Sequence, residues 1–431
     1  MLNACTQKVF LPAIAGLVPD KMVKAIAKFM DFCYLVRQSS FDGADLAAID
    51  DSLSKFQEER AIFIDSGVRP KGISLPRQHA LQHFHEQITL FGAPNGLSTS
   101  ITESRHKDLV KKPYRRSNHF KALGQMLLTN QRQDKLAALH GRLSSQGLLD
   151  TPLLPEGIEA IPMGGNATEN EDMVDGPDKK VEAFVGLSKI PGEYLFCVLH
   201  PNSQSLPVKH FPKYARDIAD SIGIPEFPEL LQRFLYDQQN PSTNLTGSEV
   251  DISQCPDFRG KIKVFTSASA TFYAPSDHCS IGGMTTQKIR CTPSWRDGPA
   301  CYDCVYVERD PTLPGFKGLY LAQVVLLFSF EFRSIHYPCA LVKWFIQVGD
   351  EPCPVTGMWR VQPEHHDNDQ DESSRVVSVI HLESILRPAH LIPVFGDQPV
   401  DHDLHFSHSL LAFKTFYVNK FSDYHAYCLA F

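Results

Sequence analysis

Leu319-Tyr-Leu-Ala-Gln-Val-Val-Leu-Leu-Phe-Ser-Phe-Glu-Phe332 is the stretch on which the fold turns. The apolar run from Gly318 to Phe330 holds Gln323 and is too short to cross a bilayer as a helix, which takes about 20 apolar residues. Rich in Val, Leu and Phe, it reads as a long buried strand. Its neighbours agree. From about Lys261 apolar positions recur at every second residue, with Ile262, Val264, Thr266 and Ala268 read as one strand. Val305–Val307, Ala340–Val348, Met358–Val361 and Val376–Leu382 are further strand candidates separated by turn signals. Residues 251–400 therefore read as a β-rich barrel or sandwich.

Outward from this region the period changes. Between Pro19 and Arg37, Val23, Ile26, Met30 and Cys33 or Tyr34 line one helical face. Asp42 can cap a second helix with Leu46, Ile49, Leu53, Phe56 and Phe63 along its stripe. The expected result is a hairpin burying these two stripes against each other. A short helix through His79, Leu81, Phe84 and Ile88 follows. Pro113 ends or kinks the next helix, and another spans Ser117 to Leu143 with Leu123, Leu127 and Leu136 as core candidates. The fold class expected is α+β. Residues 1–143 are helical, 144–182 an acidic flexible linker, 183–250 a short helical connector, 251–400 the β-rich domain and 401–431 a helical tail, with a last helix over Ser407–Lys420.

Composition narrows the function classes. The 431 residues are 43% hydrophobic and 21% charged, ordinary for a globular chain. The net charge of -7 excludes a globally basic nucleic-acid binder, so such a role needs a local patch. The start lacks a basic segment followed by an apolar run, and the 11 cysteines read as reduced thiols of a nuclear or cytosolic protein. His278, Cys279, Cys291 and the Cys301-x-x-Cys304 pair contain half of a zinc pattern, but the second half is irregular and they read as buried or partly exposed thiols rather than a zinc site.

One local patch exists. Arg105, Lys107, Lys111, Lys112, Arg115, Arg116 and Lys121 face only Glu103 and Asp108 in the same stretch, an excess of five positive charges. This is the pattern of a phosphate-contacting surface, or of a solvated basic helix. His106 and His119 can add hydrogen bonds, and Tyr114 can stack on a base. Ser100-x-x-Glu103 also fits a capping box. Spacing alone favours that capping role over a metal ligand for Glu103, since one carboxylate does not hold two ions and Asp108 falls on another helical face.

Several strings resemble fungal Plavaka-type transposases, relatives of the CACTA superfamily. They are Ser74-Leu-Pro-Arg-Gln-His-Ala-Leu-Gln-His83, the segment Leu90–Arg105, Lys112-Pro-Tyr-Arg-Arg-Ser117 and Ala122-Leu-Gly-Gln-Met-Leu-Leu-Thr-Asn-Gln-Arg132. Further on come Ala270-Thr-Phe-Tyr-Ala-Pro-Ser-Asp277, Arg290-Cys-Thr-Pro-Ser-Trp-Arg296, Tyr337-Pro-Cys-Ala-Leu-Val-Lys-Trp-Phe345 and Ala389-His-Leu-Ile-Pro-Val-Phe-Gly396. The resemblance implies that the helical region is the end of an RNase H-like core. It matches Glu103, in Thr102-Glu-Ser-Arg105, to the third acid of a site for Mg2+ or Mn2+, and sets the two aspartates upstream of this chain. It thus implies a truncated, nuclear, transposase-derived protein that binds DNA at transposon ends with an incomplete strand-transfer site. The β region is loosely similar to BAH domains through Asp303-Cys-Val-Tyr-Val307, Leu319-Tyr-Leu-Ala-Gln-Val-Val325 and Leu341-Val-Lys-Trp-Phe345. That likeness suggests the alternative of a non-enzymatic module binding a chromatin protein.

Overall fold

The computed structural model describes residues 4–97, 106–145, 196–200, 211–241, 245–274, 284–295, 298–366, 374–396 and 400–430. The chain is α+β. Its strands are β1 (Phe196–His200), β2 (Ile262–Phe265), β3 (Ser267–Tyr273), β4 (Met284–Thr292), β5 (Cys301–Tyr302), β6 (Cys304–Glu308), β7 (Leu319–Phe332), β8 (Ile335–Gln347), β9 (Arg360–Pro363), β10 (Val377–His381), β11 (Ile385–Ala389), β12 (Leu391–Pro393) and β13 (Phe416–Val418). The longer helices are α1 (Ala4–Ile14), α2 (Asp20–Leu35), α3 (Gly43–Glu59), α4 (Phe84–Phe91), α5 (Ala122–Ser145), α6 (Ala215–Ile222), α7 (Phe227–Gln239) and α8 (Tyr424–Ala430). No helix among the described residues is long and apolar enough to cross a membrane. Met1–Ala93 and Pro177–Phe431 form one compact unit, and Pro94–Gly176 a second.

Every named strand pairing is antiparallel. One sheet has the order β1-β3-β4-β5. A larger, barrel-like sheet runs β11-β6-β7-β8-β9-β13-β12, with β2 added to β7 and β10 to β8. The long hairpin of β7 and β8 organises it. Its register runs from Phe332 opposite Ile335 to Leu321 opposite Phe345, with a shift between Val324 and Leu326. That bulge reverses the side-chain parity of β7, as one extra residue must in a period of two. Before it, Ala322 and Val324 enter the core shared with β3, β4 and β6. After it, the odd-numbered Leu327 enters that core, while Leu326, Phe328 and Phe330 turn to the opposite face. There Ile218 of α6 and Phe227, Leu231 and Leu235 of α7 cover them. Both faces of the hairpin are buried, which is why its sequence is nearly continuous in apolar residues.

The strand expected from Ile262 to Ala268 is two strands. It breaks at Thr266, whose carbonyl accepts from the Cys291 amide at 2.8 Å. β2 joins β7, and β3 crosses to pair with β1 and β4. The expected helix over Ser407–Lys420 is also corrected. Only Phe406–His408, as a 3-10 turn, and Ser409–Ala412 are helical, and Phe416, Tyr417 and Val418 form β13 between β9 and β12. Apolar residues buried on both sides satisfy their backbone groups in a sheet interior as well as in a helix.

The expected N-terminal helices form, and Asp42 caps α3 with a reciprocal box, its side chain accepting from the Asp45 amide at 2.8 Å. The stripe read on α2 does not face α3, however. Val23, Ile26, Met30 and Tyr34 pack instead against Met358, Tyr417, Phe421 and Tyr424. Ala25 and Phe32, on another face of α2, meet Ile49, Leu53 and Phe56 of α3. α2 is thus wedged between α3 and the C-terminal end of the sheet. The linker after α1 also approaches closely: Gly16 has φ +88°, and a Cβ there would lie 2.7 Å from the Gly396 carbonyl oxygen.

Candidate nucleic-acid interface

Within Pro94–Gly176 the basic stretch forms a π-helical turn, Lys107–Lys111, running into an α-helical turn, Lys112–Arg115. Pro113 explains the irregularity. It has no N–H for the carbonyl of Leu109, four residues back, and its ring crowds that carbonyl. Asn130 of α5 supplies the missing donor, its Nδ2 reaching the Leu109 oxygen at 2.8 Å. Pro113 is the buried residue of the turn. Lys107, Lys111, Lys112, Arg115, Arg116 and Lys121 are exposed around it.

A tight connection then leads into α5. Gln125 holds it, donating to the Asn118 side chain at 2.6 Å and to the Phe120 carbonyl at 2.8 Å. His119 (φ 64°) and Lys121 (φ 46°) adopt the left-handed region that non-glycine residues avoid, at roughly 1 kcal/mol each. The turn stacks the His119 ring on Tyr114, with centroids 4.7 Å apart and planes 14° apart. The stretch thus carries six exposed cationic side chains and a flat aromatic pair.

Glu103 and Arg105 lie outside the described residues, so the candidate ligand and the first cation of the strip have no assigned position. No three His, Cys, Asp or Glu side chains among the described residues converge as a metal site. The described residues therefore supply no ligand set for Mg2+ or Mn2+. Leu123 and Leu127, expected in a core, are 70% and 61% exposed. The helical period marks a coherent face, but the two short turns packed on α5 do not cover it.

Cys291, Cys301 and Cys304 of the cysteine pattern lie on the strands β4, β5 and β6. Burial pushes the thiol of Cys304 up to about 12 and raises those of Cys291 and Cys301. His278 and Cys279 lie outside the described residues.

Sequence reading missed a buried polar cluster in the larger unit. Arg387 on β11 donates through Nη1 to Asp423 Oδ1 at 2.8 Å and through Nη2 to Gln287 Oε1 at 3.0 Å. The same guanidinium lies 2.9 Å from His425 Nδ1 and 4.6 Å from the Phe272 ring centroid. Its partners lie 36 to 100 residues away, so no local motif announces it. Comparison with protein-family models, curated proteins and solved structures returns no match to this chain.

Proposed function

We propose that the chain binds DNA through the strip from Arg105 to Lys121, as a transposase-derived protein of the Plavaka type. The observation that supports this most directly is the exposure of six lysines and arginines in the same short stretch as the stacked Tyr114 and His119 rings. Ammonium and guanidinium groups neutralise phosphates and release counterions, while an exposed ring offers a face for a base. The two left-handed residues favour a binding role for this turn, because strain persists where the surroundings enforce a geometry. The Lys112–Ser117 and Ala122–Arg132 strings of the resemblance fall on this same hairpin. Within the reading, Glu103 is the single matched acid, so binding precedes any chemistry.

The test is fluorescence anisotropy of a labelled DNA duplex across a salt series. Exchanging both Arg115 and Arg116 for Ala should weaken binding about tenfold at low salt and flatten the salt slope by about 2, two phosphate contacts being lost. Far-UV circular dichroism confirms that the variant keeps its helices. Binding insensitive both to salt and to the substitutions would sink the proposal. Binding to histone peptides with none to DNA would favour the chromatin module suggested by the BAH likeness of β6, β7 and β8.

A further inference from the structure

In the larger unit, a cleft of about 820 Å³ opens between α2 and α3 on one side and the sheet with its C-terminal extension on the other. Five lysines line it, from four separate places in the chain: Lys24 and Lys28 one turn apart on α2, Lys55 on α3, Lys317 before β7 and Lys420 after β13. The lining acids are Glu58 and Glu59, one turn beyond Lys55. Asp31 lies behind the wall and is shared by two of the cations, Lys420 Nζ at 2.8 Å and Lys28 Nζ at 3.2 Å. Lys24 and Lys317 make no ion pair with a described residue. Lys55 is paired with Asp51 at 2.7 Å, so among the described residues the cations left unpaired at the cleft are Lys24 and Lys317.

The opposite wall is apolar. Pro314, Pro352, Pro354 and Val355 line it, backed by Phe316 and Trp359, whose rings stack at 5.2 Å. Gly357 lies close to Lys420: a Cβ there (φ +66°) would meet its Nζ at 3.3 Å. Cationic groups, a hydrophobic wall and two carboxylates within one cleft of ligand size define an amphiphilic guest. It carries phosphates for the lysines, a flat apolar face for the proline wall and hydroxyl donors for Glu58 and Glu59.

We propose that this cleft binds a nucleoside polyphosphate, with its phosphates on Lys24, Lys28 and Lys317. The site is separate from the basic strip and does not depend on the DNA-binding reading. Isothermal titration of the full chain with ATP, tripolyphosphate and adenosine tests it. ATP should bind, tripolyphosphate more weakly, and adenosine without measurable heat. Exchanging Lys24→Glu together with Lys317→Glu, both on the solvent side of the cleft, should weaken ATP at least about tenfold. Arg115→Ala with Arg116→Ala should leave it unchanged. Cys428 lines the cleft and is exposed, so ATP should also slow its alkylation, followed by peptide mass spectrometry. The proposal is overturned by absence of both heat and protection at about 1 mM ATP, by affinity that ignores the lysine substitutions, or by adenosine binding as well as ATP. Tripolyphosphate matching ATP would overturn the nucleoside part.

Discussion

Arg387 is 2% exposed, and its charge is tolerated because every face of the guanidinium is occupied. The Arg387 hydrogen bonds and charge outweigh the burial of Asp423 and hold its carboxyl down at about 2. Burial and the same cation push His425 down to about 4. Both shifts have the same consequence. An unfolded histidine takes a proton near its ordinary value of about 6.5, while the folded one resists until about 4. Stability is therefore intact above about 6.5 and falls as pH drops through that window. Asp423 adds a further loss between about 4 and about 2. The His425 contribution lost between neutral pH and pH 5 is about 2 kcal/mol. His425→Gln, which keeps an acceptor for Arg387, should flatten the stability difference between pH 7.5 and pH 5 in urea titrations. An unaltered difference would show that another group sets the acid response. At this scale little was legible. The basic strip could be read because its charges lie close together in the chain, whereas Arg387 on β11, Gln287 on β4 and Asp423 and His425 at α8 meet only in the tertiary structure.

Strands were the more legible elements. β6, β7, β8, β9 and β10 fall within a few residues of the expected stretches, because two-sided burial demands runs of Val, Leu and Phe. Short strands such as β5, β12 and β13 carried too few residues for a period to show. The turn between β7 and β8 was also opaque. Arg333 (φ 51°) and Ser334 (φ 62°) form a two-residue turn with both residues left-handed, a geometry usually given to Asn-Gly. Arg333 accepts this while contacting Gln239 Oε1 at 3.2 Å and stacking on Phe332, exposed interactions of small worth. Arg333→Asn with Ser334→Gly should stabilise the protein by about 1 kcal/mol, read as a higher urea midpoint at unchanged slope. A lower midpoint would mean that the arginine contacts outweigh the relieved strain.

Across the molecule, the N-terminal helices and the C-terminal segment share one core. Phe421 is fully buried between Tyr34 of α2 and Tyr427 of α8, and the Tyr34 hydroxyl donates to its carbonyl at 2.5 Å. Phe421→Ala should cost about 3 to 5 kcal/mol and should destabilise helices and sheet together. Coincident far-UV and near-UV transitions would show this, and two separated transitions would refute it. The sequence by itself determined the α+β class, the capped helix α3, the long buried hairpin strands and the basic strip. Each depends on residues adjacent in the chain, where period and charge density are local quantities. Tertiary structure alone decided that the stripe of α2 faces the C-terminal core and that a bulge flips the faces of β7. It alone gathered five scattered lysines around one cleft. Those outcomes depend on which surfaces meet, and burial stabilises an apolar stripe equally well against any partner of matching shape.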